Sequence, residues 1–254
     1  MKGSSALFYR NKQPAARCIS ALLALAFLLF AAPAGTSLAD RMFSYSDAQD
    51  ARLQALDCLM TCGFSAEWNS EGIFNAATAL SRWEGPIRIC LTGSPSSDDR
   101  QQLNQFIMEI ATHCPNVPNI HLVNSEQDAD VTIYYGPLNT LAQHVNYYHE
   151  GNWGAFSYHY NSRHVIVSGK VGIATDKNNA ASKRHLLREE LIGVLGLTND
   201  HSMYSDSILY QEWTTVGQLS DVDWLMLNML YDPDLSCNMS AAEARRILLE
   251  KIMR

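Results

Sequence analysis

The spacing of apolar positions predicts alternating helices and strands in the first half of the chain. Apolar residues at near three-four spacing predict a helix over Tyr45–Cys62, which Gly63 should end. The run "IRICLTG" after Pro86 alternates apolar and polar residues, as a half-buried strand does. Serine caps and two acids then precede a helical stripe formed by Leu103, Phe106, Ile107 and Ile110.

Extended segments dominate the middle of the chain. "NIHLV" and "ADVTIYYG" predict either a strand pair or one bent strand, and "WGAFSYHY" and "HVIVSG" predict two strands joined by a turn. A helical period begins at Asn178 and should end at Gly196, because glycine suits the left-handed conformation that closes many helices. Residues 198–218 lack periodicity and are predicted to be irregular.

Two further helices are predicted at the end of the chain. Ser220 and Asp223 have the spacing of a capping box, and Asp232 followed by Pro233 should stop the helix that they begin. Ser240 is the expected cap of a last amphipathic helix. Because the sequence contains no repeat and no Gly/Ser linker, we expect one α+β domain over residues 83–254, with an N-terminal helical extension over residues 40–82.

The first 39 residues have the three parts of a secretory signal. A basic segment without acids precedes an almost unbroken apolar run, Ile19–Ala32, which is too short to span a bilayer of roughly 30 Å. Small residues at Ser37 and Ala39 predict cleavage before Asp40. The alternative is an uncleaved membrane anchor. The segment predicts a periplasmic or secreted bacterial protein, with no membrane contact after cleavage.

The net charge excludes two classes of binding partner, and the cysteine content limits the number of disulfides. The formal net charge of −7 becomes −11 once the four cations of the signal segment are removed, so neither nucleic acid nor an anionic membrane surface is an expected partner. The cysteines that remain are Cys58, Cys62, Cys90, Cys114 and Cys237. In an oxidising compartment we expect at most two disulfides, of unspecified pairing. Cys58 and Cys62 could instead belong to a zinc cluster or simply be buried.

The stretch "REELIGVLGLTND" over residues 188–200 carries the candidate chemistry. Glu189, Gly193 and Gly196 fall in one narrow sector of the predicted helix, and Glu190 points a quarter-turn away. "SILY" and then "LSDVDWLMLNMLYDP" follow. In this order the segments resemble the metzincin metalloproteases, which have an H-E-x-x-H-x-x-G-x-x-H zinc helix, a Met-turn and a closing helix that begins L-S-x-x-D.

The chain also resembles an uncharacterised bacterial family of exported proteins, domain of unknown function 2927, whose paired acids, L-G-L and N-D match this stretch. The metzincin resemblance covers about residues 83–231. The two resemblances imply an α+β fold of the metzincin (zincin) type, with a mixed sheet packed on helices and a degenerate zinc motif.

The metzincin resemblance assigns roles residue by residue. The three zinc-ligand histidines fall on Glu189, Gly193 and Asn199, and the general base falls on Glu190. The remaining site positions fall on Gly196, Asp200, Leu209 in place of the Met-turn methionine, and Tyr210. Zinc needs three donor side chains and Gly193 has none, so we expect a non-catalytic pseudo-metalloprotease without a cofactor. Its expected ligand is an unknown protein, peptide or glycan.

Two alternatives remain open at this stage. His185, Glu189 and His201 could form a set of two histidines and one carboxylate, which zinc or iron accepts, with Glu190 as the general base of a hydrolase. Against this, both histidines could be partly exposed near a charged helix end, and the glutamates could pair with Lys183, Arg184 or Arg188. The aromatic stretch over residues 144–160 could line a sugar-binding or peptide-binding cleft, or form an edge strand and a loop.

Overall fold

The structure is a computed structural model that describes residues 5–6, 38–64 and 79–254 except residue 147. The apolar run Ile19–Ala32 of the predicted signal segment lies outside the described residues. Within the described part, no helix has both the length and the apolarity needed to cross a bilayer.

A mixed sheet forms one layer of the molecule. Its strands are β1 (Ser5–Ala6), β2 (Ile87–Gly93), β3 (Ile120–Leu122), β4 (Val131–Gly136), β5 (Gly154–Tyr160) and β6 (Ile166–Ala174). Their order across the sheet is β1-β5-β6-β4-β2-β3. Strands β3, β2, β4 and β6 run parallel, whereas β5 is antiparallel to both β6 and β1.

The helices are α1 (Leu38–Phe64), α2 (Ser97–His113), α3 (Leu141–His144), α4 (Ala180–Leu195), α5 (Asp221–Leu230) and α6 (Ala241–Ile252). Helix α4 packs on β5, β6 and α2, while α1 packs on α5 and α6. Capping boxes at Ser96 and Ser220 begin α2 and α5. Buried apolar residues of the sheet and of α1, α2, α4, α5 and α6 form one continuous core. The expected fold class, a mixed sheet packed on helices, is confirmed.

Most predicted elements agree with the structure, with two corrections. Segments 120–122 and 131–136 are separate strands that do not pair with each other, because β2 lies between them. Gly63 does not end its helix, since α1 continues through Phe64. The predicted hairpin of β5 and β6, the start of α5 at a capping box and the end of α4 at Gly196 are confirmed.

The predicted disulfides are not formed in the structure. All five cysteines of the described chain are free thiols, and Cys58, Cys62, Cys90 and Cys114 are buried. Burial raises the pKa of the Cys58 thiol to about 12, with a further increase from the nearby charges of Asp223 and Asp57. Burial also raises the pKa of Cys114 to about 12. Of the alternatives for Cys58 and Cys62, simple burial describes their environment.

Candidate functional site

Helix α4 carries the candidate site through the centre of the molecule. The Asn179 side chain accepts a hydrogen bond from the Ser182 N–H group and begins the helix. Gly196 ends it with φ of 117°, and a Cβ atom there would lie 2.6 Å from the Ser81 carbonyl oxygen. Every residue from 185 to 195 is buried, because the sheet and α2 cover the helix on different sides. The acidic pair is therefore enclosed on all sides rather than presented to solvent.

Gly193, to which the sequence resemblance assigned the second zinc ligand, is a packing position. A Cβ atom built on Gly193 would lie 2.5 to 2.7 Å from three carbon atoms of the Phe156 ring. Real Cβ atoms essentially never approach a neighbour so closely. The ring, which β5 holds against the helix, occupies the space into which a histidine side chain would begin to extend.

Glu189 lies against His185 one helical turn earlier. The His185 Nε2 atom is 3.2 Å from Glu189 Oε2, and both side chains are at most 1% exposed. His185 Nδ1 lies 2.8 Å from the carbonyl oxygen of Val216, and because a carbonyl only accepts, Nδ1 carries a proton. The idea that His185 is partly exposed is wrong.

Glu190, the position of the general base, faces strand β5. Its Oε1 atom lies 2.6 Å from the position that a Cβ atom on Gly154 would take, and the Glu190 side chain is buried. A residue with a side chain at 154 would displace this carboxylate. Glycine at 154 therefore lets β5 approach the acidic pair of α4.

Two basic residues of α4, Lys183 and Arg188, pair with acids outside the helix. Lys183 Nζ lies 2.8 Å from Asp99, and Arg188 Nη2 lies 3.1 Å from Glu109. Burial tends to raise the pKa of Asp99, but hydrogen bonds from Lys183 and Ser96 hold it below its usual value. The alternative in which Lys183 or Arg188 pairs with the glutamates is wrong, because both bases point toward α2.

His201 belongs to a separate buried network. Its Nδ1 atom accepts a hydrogen bond from the Met203 N–H group, so Nε2 carries the ring proton and donates to Ser207 Oγ at 3.0 Å. Ser207 donates in turn to the Asp223 carboxylate, which also accepts from the N–H groups of Ile208 and Ser220. His201 is 3% exposed, so the idea that it is partly exposed is also wrong. The network fastens the turn at residues 207–210 to the start of α5.

The other site positions support neighbouring backbone. Asn199 is buried, and its N–H group and its side-chain amide donate to the carbonyls of Cys62 and Thr61 at the end of α1. Leu209 is fully buried at the Met-turn position, whereas Asp200 and Tyr210 are half-buried. Asn199 therefore ties the end of α1 to the segment that follows the site helix.

The proposed metal set is only partly brought together. His185 and Glu189 are in contact, but His201 directs Nε2 to Ser207 instead. Nowhere in the described ranges do three or more His, Cys, Asp or Glu residues lie in an arrangement that could hold a metal ion. As placed, His185, Glu189 and His201 do not converge on one metal position.

The aromatic stretch contributes mainly to packing. Phe156 and Tyr158 are buried in β5, with ring centroids 6.5 Å apart, and His144 stacks on Tyr134 at 3.5 Å. Trp153 is half-buried and meets Trp213 edge-on at 5.6 Å. Trp213 in turn contacts the His185 ring at 5.8 Å. Among these rings, the Trp153–Trp213 pair is the part that reaches the surface beside the acidic site.

Sequence reasoning did not identify three contributors to the site. Phe156 fills the space beside Gly193, Trp213 covers His185, and Val216 fixes the His185 tautomer through a backbone carbonyl. Gly193 was a usable signal, because a glycine in a helix interior indicates a close contact, although it does not say with which residue. A backbone carbonyl in an irregular segment leaves no trace in sequence.

Comparison with known proteins places the chain in a family. Residues 54–250 match the family described as Protein of unknown function (DUF2927), and the chain belongs to that family. Among solved structures it is similar to myroilysin, with 12% sequence identity and a TM-score of 0.38, over 61% of this chain and 97% of that chain. No curated protein matches the sequence.

Substitution of Gly193 tests the close contact with Phe156. We expect Gly193→Ala to lower the free energy of unfolding by up to about 2 kcal/mol, because overpacking costs about 1 to 3 kcal/mol and the helix-propensity gain is about 1 kcal/mol. Thermal denaturation measures the change. Gly85→Ala is the matched control, since nothing lies within 4 Å of a Cβ atom there. A Gly193→Ala melting temperature at or above wild type would mean that the space is open.

Removal of the Asp223 carboxylate tests the buried network. We expect Asp223→Ala to cost about 3 kcal/mol or more, because several buried donors lose their acceptor at about 1 to 3 kcal/mol each. Asp221→Ala is the control in the same helix turn, where an exposed acid contributes only about 0.3 to 1 kcal/mol. Chemical denaturation of both variants gives the comparison, and equal losses would contradict the assignment.

Proposed function

We propose that this chain is an exported protein with a metzincin-like core that acts by binding rather than by catalysis. The observation that carries the proposal is the Phe156 ring beside Gly193, at the middle position of the ligand sector. A zinc protease needs an imidazole there and a metal-bound water beside it. An aromatic ring in that space leaves room for neither.

The acidic pair supports the same conclusion. A general base must reach a water molecule or a substrate proton within hydrogen-bond distance. Glu190 is 1% exposed and directed at the Gly154 backbone, and Glu189 is engaged with His185. Both carboxylates therefore act, in this proposal, as buried structural groups of the helix.

The binding surface in this proposal is centred on Trp153 and Trp213. Both rings are half-buried, so each offers a flat apolar surface together with an indole N–H donor. Such surfaces suit a peptide, the surface of another protein, or the apolar face of a sugar ring. Trp213 also contacts His185, so this surface lies beside the helix turn that carries Glu189.

A metal-dependent hydrolase with Glu190 as general base is the second candidate. One observation favours it: His185 Nε2 and Glu189 Oε2 lie 3.2 Å apart, and a histidine beside a carboxylate can supply two ligands to one ion. His201 would have to leave Ser207 to complete the set.

Metal analysis separates the two candidates. The purified protein is incubated with zinc or iron, and unbound metal is removed by gel filtration. We expect elemental mass spectrometry to find well below one bound metal ion per chain. The triple substitution Glu189→His, Gly193→His, Asn199→His should not restore binding, because Phe156 blocks the middle imidazole. Stoichiometric metal that is lost in His185→Ala or His201→Ala, but kept in the exposed control His149→Ala, would support the hydrolase instead.

Export is tested by the mature N-terminus. When the full chain is produced in a bacterium with a cell envelope, we expect protein from the periplasm or the medium to begin at or near Asp40. Leu28→Arg places a charge in the apolar run of the signal segment and should leave uncleaved protein inside the cell. Recovery of full-length wild-type protein from the inner membrane would instead support the uncleaved anchor.

A further inference from the structure

A cavity of about 300 Å³, lined mainly by residues with polar side chains, lies on the sheet face that turns away from α4. On β6, a Cβ atom on Gly169 would meet Val194 of α4, whereas one on Gly172 would meet Val145 and Leu141 on the other side. Because side chains alternate along a strand, Lys170 points to the same side as position 172. The cavity is thus separated by the sheet from the acidic residues of α4.

Paired residues on three neighbouring strands, β5, β6 and β4, form one side of this cavity. Lys170 of β6 pairs with Ser157 of β5 on one side and with Thr132 of β4 on the other. Ser168 of β6 also lines the cavity. Lys170 therefore lies between two residues that carry hydroxyl groups, on strands whose backbones are about 4.8 Å apart.

Ser157, which lines the cavity, has a hydroxyl group without a hydrogen-bond partner in the part of the chain that the structure describes. Its side chain is 4% exposed, and its buried Oγ atom has no hydrogen-bond partner among the described residues. Buried hydroxyl groups are nearly always hydrogen-bonded, because leaving one unbonded costs free energy. A bound ligand oxygen would satisfy this group.

The charges around the cavity favour an anion. Within the described chain, Lys170 makes one hydrogen bond, 3.5 Å long, to Asn146 Oδ1, and has no carboxylate within ion-pair distance. Asp130 also lines the cavity, but Arg88 binds both of its oxygen atoms at 2.7 and 2.9 Å. The hydrogen bond from Arg88 lowers the pKa of Asp130 and offsets its negative charge.

We propose that this cavity binds a small carboxylic acid, with the carboxylate on Lys170 Nζ and Ser157 Oγ. The hydroxyl groups of Thr132 and Ser168 would form hydrogen bonds with the other polar groups of the same ligand. A phosphate or sulfate dianion fits less well, because the Asp130 carboxylate shares the cavity. The volume is at the lower end of the range for small-molecule sites, which favours a free acid over part of a macromolecule. The site is independent of the function proposed for α4.

Ligand titration of the purified protein tests the proposal. Lactate, glucuronate and glycylglycine represent a simple hydroxy acid, a sugar acid and a peptide terminus, and sulfate and phosphate represent other oxyanions. At constant ionic strength we expect a saturable rise in melting temperature with at least one carboxylate, and saturable heat in calorimetry. The relative affinities of the three acids identify the source of the carboxylate.

Two substitutions then locate the site. Lys170→Met should weaken carboxylate binding by about tenfold or more, because a charge-assisted hydrogen bond is lost. Lys177→Met, the same change at an exposed lysine, should leave binding unaltered. Ser157→Ala should also weaken binding, yet keep the melting temperature of the ligand-free protein at or above wild type, since it removes a buried hydroxyl without a partner.

Three outcomes would overturn the proposal: no saturable response to any carboxylate, tighter binding of sulfate or phosphate, or equal affinity in wild type and Lys170→Met. If Lys170→Met does not fold, the Ser157→Ala titration decides, because unchanged carboxylate affinity in that variant also rejects the site. None of these results bears on metal binding at α4, so failure here is distinguishable from failure of the proposed function.

Discussion

The close approach of helix α4 to strand β5 is the contact on which the candidate site depends. It requires glycine on both partners: Gly193 on the helix accepts the Phe156 ring, and Gly154 on the strand accepts the Glu190 carboxylate. Gly169 on β6 allows the same approach to Val194. Without these three glycines the helix would stand further from the sheet, and a cleft could open beside its acidic residues.

Burial of the helix explains the partners of its charged groups. Taking an ion out of water costs several kcal/mol, so charged side chains in a protein interior are kept where partners compensate them. His185 lies against Glu189, with its other nitrogen fixed by the Val216 carbonyl, while Glu109 pairs with Arg188. This part of α4 is thus occupied by an aromatic ring and an acid–imidazole pair.

The two faces of β5 and β6 have different chemistry. The face toward α4 presents Phe156 and glycines to a closely packed interface with the helix. The opposite face presents Ser157 and Lys170 to a polar cavity, and the alternation of side chains along a strand makes both faces available to the same few residues. An insertion of one residue in β5 would move the side chains that face α4 to the cavity side, and those that face the cavity to the α4 side. The packing of α4 and the cavity therefore depend on the same strand register.

The sequence by itself determined the elements whose signals are local. The capping box at Ser220, the left-handed end of α4 at Gly196 and the hairpin of β5 and β6 follow from neighbouring residues, and the glycine at 193 indicated a close contact. Only the tertiary structure decided what made that contact, because Phe156 is distant in sequence and its choice of face depends on strand register. Only the tertiary structure likewise decided the contacts of His185 and His201, although the two residues lie near each other along the chain. Val216 and Ser207 direct them into separate buried networks through hydrogen bonds that no periodicity encodes.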